Sequence, residues 1–213
     1  MHKAGFVNIV GNSNAGKSTL MNALVGERIS IITSKAQTTR HRIMGIVNGE
    51  EFQVVYSDTP GILKPNYKLQ EGMMQFVSKA LADADILLLV IDLTDDKLIE
   101  ETTFQRIKKA NVPVLALLNK SDLVIDARIA EQEARWKKEL PSAEFIPVSA
   151  LTGKNVEAVF KRIIGILPEH PAYYPKDELT DKPEKFFVAE IIREKILHNF
   201  QQEIPYSVEI VVE

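Results

Sequence analysis

Gly11-Asn12-Ser13-Asn14-Ala15-Gly16-Lys17-Ser18 follows a β-forming run at 5–10 and leads at once into an amphipathic pattern at 17–25. A G-x-x-x-x-G-K-[ST] spacing between a strand and a helix is a loop built to hold phosphate, and it fixes a strand-loop-helix unit as the start of the fold. The two glycines let backbone N–H groups converge on phosphate oxygens, and the N-terminus of the following helix adds its free N–H groups and dipole. Lys17 is placed to reach the β and γ phosphates of a nucleotide, and Ser18 to offer its hydroxyl oxygen to Mg²⁺. Gly11, Asn12, Ser13, Asn14, Ala15, Gly16 and Thr19 complete the candidate cradle.

Outward from this unit the pattern repeats. Runs at 43–47, 52–57, 86–92, 112–119 and 145–149 read as strands, and the stretches 71–82, 100–110, 126–139 and 155–167 carry apolar residues at helical spacing. Strands alternating with helices argue an α/β fold of three layers, a mostly parallel sheet with helices on both faces. The unbroken apolar runs at 87–91 and 114–118 suit central strands buried on both faces. Phe52, Val54 and Tyr56 alternate with Gln53, Val55 and Ser57, a weaker period-2 signal that suits a strand nearer the edge.

Three further segments complete a ligand site. Asp58-Thr59-Pro60-Gly61 closes a strand, so Asp58 can hold a metal-bound water and the Gly61 N–H can approach a γ-phosphate. Alone, Asp-Thr-Pro-Gly is equally a good turn. Between this and the phosphate loop lies the polar, basic stretch 34–42, whose threonines can lend a hydroxyl to Mg²⁺. The residues themselves leave Thr38 and Thr39 tied, and leave Arg40 and Arg42 as loop cations. Asn119-Lys120-Ser121-Asp122 ends a buried strand. Asp122 can accept from the guanine N1–H and exocyclic amine, a pattern adenine lacks, and a buried carboxylate left without those donors discriminates by several kcal/mol. Lys120 can lay its stem on the base, Asn119 can tie this loop to the phosphate loop, and Ser149-Ala150 offers the Ala150 N–H to guanine O6. A P-loop ATPase would leave Asp122 as an ordinary helix cap.

The 213 residues, 45% hydrophobic and 26% charged, are enough for one α/β core and a remainder. There is no cysteine, hence no disulfide or thiolate metal site, which fits a reducing compartment, with the cytoplasm as the default. The longest apolar run, 86–91, falls far short of the about 20 residues that span a bilayer. A net charge of −3 gives no global attraction to nucleic acid or anionic lipid.

Residues 168–183 change character: four prolines punctuate a polar stretch without periodicity. A helical pattern resumes at 186–200 through Val188, Ile191, Ile192, Lys195 and Ile196, then an alternating stretch at 206–211 reads as a strand. About 30 residues cannot bury a core of their own. The expected organisation is a nucleotide-binding domain at 1–170, a linker at 171–184, and at 185–213 the beginning of a second domain whose remainder lies outside this chain; the alternative is that this last piece packs back on the first domain as a final helix and edge strand.

With these motifs in place the chain resembles translation-factor-class GTPases, and within them the Era subfamily of ribosome-assembly GTPases. The resemblance is carried by the phosphate loop extended to Thr19-Leu20, by Lys35-Ala36-Gln37-Thr38-Thr39-Arg40-His41-Arg42, by Asp58-Thr59-Pro60-Gly61-Ile62, and by Glu190-Ile191-Ile192-Arg193-Glu194-Lys195 with Ile204-Pro205-Tyr206-Ser207-Val208. It covers essentially the whole chain. It implies a molecular switch that binds GTP and GDP with Mg²⁺, in which Thr39 joins Ser18 as a metal ligand and Asp58 acts through water. It also implies that Asn14 matches the asparagine of relatives activated by K⁺, where an arginine finger would otherwise act. Ile62 stands where Ras-like proteins place a water-orienting glutamine, so slow intrinsic hydrolysis is expected, supported by Lys17, Thr39, Gly61 and Asn14. The family's C-terminal half is a KH domain binding small-subunit (16S-type) ribosomal RNA, which makes that RNA and the 30S-type subunit the implied partners; peripheral membrane association is within the same expectation and DNA is not. KH domains clamp the RNA backbone with a GxxG loop, and none occurs in 186–213. A nucleotide-gated RNA-binding scaffold with negligible turnover is the alternative from another class.

Overall fold

The computed structural model describes residues 1–200 and 208–212. Strand β1 (Lys3–Gly11) lies in the middle of a six-stranded sheet, because the chain crosses over in both directions from it. On one side are β3 (Phe52–Asp58) and then β2 (Ile43–Asn48); on the other are β4 (Ile86–Asp92), β5 (Val114–Asn119) and β6 (Glu144–Pro147). Every pairing is parallel except β2 with β3. That places β1 at the topological switch point, where open α/β sheets bind ligands beyond the carboxyl ends of their strands. Gly11, Asp58, Asp92 and Asn119 all stand at such ends.

The continuous apolar runs divide by parity. Ile86, Leu88 and Val90 of β4 face one core with Leu20 and Met21 of α1 (Lys17–Val25) and Val159 and Ile163 of α5 (Val156–Ile166). Leu87, Leu89 and Ile91 face the other core, with Val77 of α2 (Lys68–Ala82), Phe104 and Ile107 of α3 (Glu101–Lys108) and Trp136 of α4 (Asp126–Glu139). A strand buried on both faces needs apolar residues at every position, which is why period 2 is lost there.

β3 is second from the edge, but its alternate residues do not face water. Gln53 is fully buried and donates to the Tyr174 carbonyl (2.8 Å) while its own carbonyl oxygen accepts from the Tyr173 (2.7 Å) and Tyr174 (3.0 Å) amides. Ser57 accepts from Arg42 Nε (2.6 Å), and the same guanidinium binds Asp83 and Asn8. The stretch expected to be a linker runs as a strap along the sheet: the Ile46 amide of edge strand β2 donates to the Leu179 carbonyl (2.8 Å), and the Thr180 hydroxyl to the Met44 carbonyl (2.7 Å).

Helix α6 (Glu184–Asn199) follows the strap, and its burial reverses the expected pattern. The buried residues are Glu190, Arg193, Glu194 and Leu197, whereas Val188, Ile191 and Ile192 are exposed. Its inward face meets the backbone and polar side chains of loop 26–42, so polar partners were required there. The strand expected at 206–211 is not found over 208–211, which have no regular structure; 206 and 207 lie outside the described residues.

Candidate functional site

The phosphate loop owes its shape to three positive-φ residues, Gly11 (153°), Asn14 (62°) and Gly16 (94°). A Cβ at Gly11 would stand 2.3 Å from the Val90 carbonyl oxygen, and one at Gly16 only 2.2 Å from Asn119 Nδ2. Glycine is therefore required at both positions. Asn119 uses the space to link three loops: its Nδ2 donates to the Ala15 carbonyl (2.7 Å) and its Oδ1 accepts from the Ala150 amide (3.0 Å). The Ala150 N–H that the sequence assigns to guanine O6 thus already has Asn119 Oδ1 as an acceptor, and a base oxygen would share it.

Lys17 is buried, with Nζ donating to the Asn12 carbonyl at 2.8 Å. Burial pushes its pKa down to about 8, against the opposing pull of Asp58. At that value the ammonium is still mostly charged at neutral pH, and a bound phosphate would favour the charged form further. Beside it Ser18 Oγ donates to Asp58 Oδ2 (2.6 Å) and lies 3.0 Å from Thr39 Oγ1. Burial also raises the Asp58 pKa, opposed by the hydrogen bond from Ser18, the charge of Lys17 and the weaker hydrogen bond from Thr39. Asp58 Oδ1 is buried with no hydrogen-bond partner among the described residues. Hydroxyls and a carboxylate in this cluster are the hard oxygen donors that Mg²⁺ takes, and the unpartnered carboxylate oxygen suits a metal-bound water, so these residues fit the ion.

The geometry separates the two threonines that the sequence left tied. Thr39 faces Ser18 and Asp58, while the Thr38 hydroxyl donates to the Lys35 carbonyl (2.6 Å) and lies 2.6 Å from Thr33 Oγ1. Arg42 is a buried anchor on Asp83, Ser57 and Asn8. Arg40 donates to the Val208 carbonyl (3.0 Å). His41 packs edge-on between Phe76 and Phe186, burial lowers its pKa, and it does not line the cleft described below. Asn14 Nδ2 donates to the Ser34 carbonyl (3.0 Å), joining the phosphate loop to loop 26–42.

Thr59 donates to the Ile9 carbonyl (2.7 Å), and after Pro60 the chain passes so close to the phosphate loop that a Cβ on Gly61 would lie 2.7 Å from Ser13 Cα. Ile62 donates its N–H to the Gly11 carbonyl (3.0 Å) and buries its side chain in the core, away from the cleft.

These segments line one cleft of about 430 Å³, within the range of small-molecule sites. Ser13, Asn14, Gly16, Lys17, Ser18, Thr19, Thr39, Gly61, Asn119, Lys120, Asp122, Ser149 and Ala150 reach its wall, whereas Gly11, Asn12, Ala15, Asp58, Thr59 and Pro60 do not. Lys120, itself at φ 64°, binds Asp92 Oδ2 at 2.5 Å, which holds its stem along the wall. Asp122 is exposed on that wall and not buried as the discrimination argument assumed; a seated base would have to exclude the water. Leu151, 80% exposed on the same wall, was missed. An apolar side chain directly after Ser149-Ala150 in a polar loop was the available signal for it.

A phosphate loop at the switch point of a mostly parallel sheet, with the other loops of the cleft at the carboxyl ends of neighbouring strands, is the architecture of a P-loop GTPase domain. A family model described as 50S ribosome-binding GTPase matches residues 6–120. GTPase Era of Thermoanaerobacter sp. strain X514 is 42% identical over 213 residues, covering all of this chain and 70% of that protein. A solved structure of Era in complex with MgGDPNP and nucleotides 1506–1542 of 16S ribosomal RNA superposes with a TM-score of 0.92 at 38% identity, covering 97% of this chain and 71% of that one. A single-residue variant of Aquifex aeolicus Era bound to GDP·AlF₄⁻ superposes with a TM-score of 0.90, also at 38% identity, over 96% and 70% of the two chains. The chain belongs to the Era family of GTPases.

Proposed function

We propose that this chain is a GTP-hydrolysing switch, slow in isolation and stimulated by K⁺, that acts in small-subunit ribosome assembly through 16S-type RNA. The observation that carries the reading is the convergence of Ser18, Thr39 and Asp58 on one point beside Lys17, in the same cleft as Asn119, Lys120 and Asp122. The Era structures with MgGDPNP, GDP·AlF₄⁻ and 16S RNA support the nucleotides, the metal and the RNA partner by family membership.

Lys17 neutralises charge on the terminal phosphates and the phosphate-loop amides orient them. Ser18 and Thr39 would hold Mg²⁺, with Asp58 acting through water, and the ion would supply charge neutralisation across the β and γ phosphates. The Gly61 N–H meets the γ-phosphate only in the triphosphate state, so hydrolysis would free the segment after it and loop 26–42 together. Ile62 is committed to the core and offers the attacking water no polar group. Asn14 would supply its side-chain oxygen to K⁺, whose positive charge would substitute for an arginine finger.

Purine competition tests the base site: GTP should displace a fluorescent GDP analogue far better than ATP, and Asp122→Asn should shift preference towards xanthine nucleotide. Equal affinity for ATP and GTP would sink the reading. Single-turnover hydrolysis should be faster in K⁺ than in Na⁺, and equal rates would remove the role given to Asn14.

A further inference from the structure

Arg193 and Glu190 form a buried ion pair on α6. Arg193 Nε donates to Glu190 Oε1 at 2.8 Å and its Nη2 to Glu190 Oε2 at 2.5 Å, one turn apart on the same helix. Within α6 alone such a pair would sit in water. Here it is covered because Nη2 also donates to the Thr38 carbonyl oxygen at 2.6 Å. The helix thus presents a rigid, pre-oriented donor to a single backbone oxygen of loop 26–42. Neighbouring Glu194 reinforces the contact by accepting from the Ile32 amide at 3.1 Å.

The choice of oxygen matters. The Thr38 carbonyl lies in the same planar peptide unit as the Thr39 nitrogen and Cα. Fixing that oxygen fixes the plane from which Thr39 projects its hydroxyl towards Ser18 Oγ, 3.0 Å away, and Asp58. We propose that Arg193, oriented by Glu190, is a positioning residue for Thr39, so that docking of α6 and capture of the triphosphate with its metal favour one another. This rests on the reading of Thr39 as a metal ligand in a GTP site. By linkage the coupling is reciprocal: a triphosphate that recruits Thr39 strengthens the α6 contact, and an undocked α6 weakens triphosphate over diphosphate.

The test compares the 213-residue chain with a Glu190→Gln/Arg193→Met double variant, which removes both charges and leaves neither buried alone. In Mg²⁺ its affinity for a non-hydrolysable GTP analogue should fall by about tenfold, with GDP affinity changed by about twofold or less, a coupling of ordinary size. Unchanged analogue affinity in a folded variant would overturn the proposal. In a Thr39→Ala background the same two substitutions should cost about twofold or less, and a full further loss there would show that the pair acts elsewhere. Arg193→Lys keeps the charge but cannot span Glu190 and Thr38 with one planar fork, and should lie between wild type and the double variant. Hydrogen exchange on the unaltered chain gives a reading that needs no variant. Exchange in 36–42 and 186–197 should slow together when the analogue replaces GDP, and slowing of the first segment alone would overturn the coupling. If ATP and GTP analogues bind equally, the guanine assignment fails while the triphosphate-to-diphosphate comparison still decides the clamp.

Discussion

The missing methyl group at residue 16 joins the phosphate half of the cleft to its base half. With φ at 94° and Asn119 Nδ2 only 2.2 Å from where a Cβ would stand, Gly16→Ala has two costs. The left-handed conformation costs about 1–2 kcal/mol for a residue with a side chain. Displacing Asn119 leaves the buried Ala15 carbonyl and Ala150 amide unpaired, a further cost of roughly 1–3 kcal/mol. GDP and GTP affinity should both drop by at least about tenfold, in contrast to the selective loss of triphosphate expected at Arg193; equilibrium titration with a fluorescent nucleotide would check it. The phosphate-loop spacing makes Gly16 legible in the sequence as a glycine near phosphate. That its neighbour is Asn119, 104 positions from Ala15, is a property of the sheet order and is not visible locally. The same holds for Thr38 and Thr39, adjacent and chemically identical, which only the direction of one peptide plane tells apart.

Among the elements, α3 is held at its start by one acidic side chain. Glu100 accepts from the Thr102 amide (2.9 Å), the Thr103 amide (2.8 Å) and the Thr103 hydroxyl (2.8 Å), while Arg106 and Lys108 complement the dipole in the last turn. Burial pushes the Glu100 carboxyl up, but these donors outweigh it and hold its pKa at about 2. Because the folded value lies below the unfolded one, the stabilisation is full above the unfolded pKa of about 4.3 and is lost as pH falls towards 2. Glu100→Ala should therefore cost about 1 kcal/mol at pH 7, and the gap in urea midpoints between wild type and variant should narrow by pH 3. A gap independent of pH would mean that the carboxylate is not the cap. In α2 the opposite change is favourable: a Cβ on Gly72 meets nothing within 4 Å, so Gly72→Ala should raise stability by about 0.5–1 kcal/mol and raise the melting temperature. Helices with one apolar stripe were legible from periodicity to within a few residues, 126–139 to the residue. α6 was legible as a helix but not in its orientation, because its inward face serves hydrogen bonds and ion pairs, which leave no hydrophobic period.

For the whole molecule, the sheet edge is closed by chain that carries no strand pattern. Prolines at 168, 171, 175 and 183 mark residues 168–183 as irregular, and irregular is what they are, yet irregularity is silent about contact. The signal that was present lay in the sheet: Gln53 occupies a strand position between Phe52 and Val54, and a buried amide needs partners from outside its own strand. It finds them in Tyr173 and Tyr174, and also donates to Asn48 Oδ1 at 2.8 Å. Tyr173 in addition packs its ring 4.7 Å from Phe6, and Lys176 donates to the Gly49 and Glu50 carbonyls. The strap leads directly into α6, so its hold on β3 sets where α6 begins relative to loop 26–42. Gln53→Leu keeps volume near constant but removes all four hydrogen bonds, leaving two amides and a carbonyl of the strap unpaired against an apolar side chain. The loss should be about 1–3 kcal/mol, felt first as local release of the strap and not as global unfolding. Limited trypsin digestion should then cut after Lys176 several times faster than in wild type, while GDP affinity holds, because the strap does not line the nucleotide cleft. Equal cleavage rates in the two proteins would show that the other strap contacts suffice and that Gln53 is not its anchor.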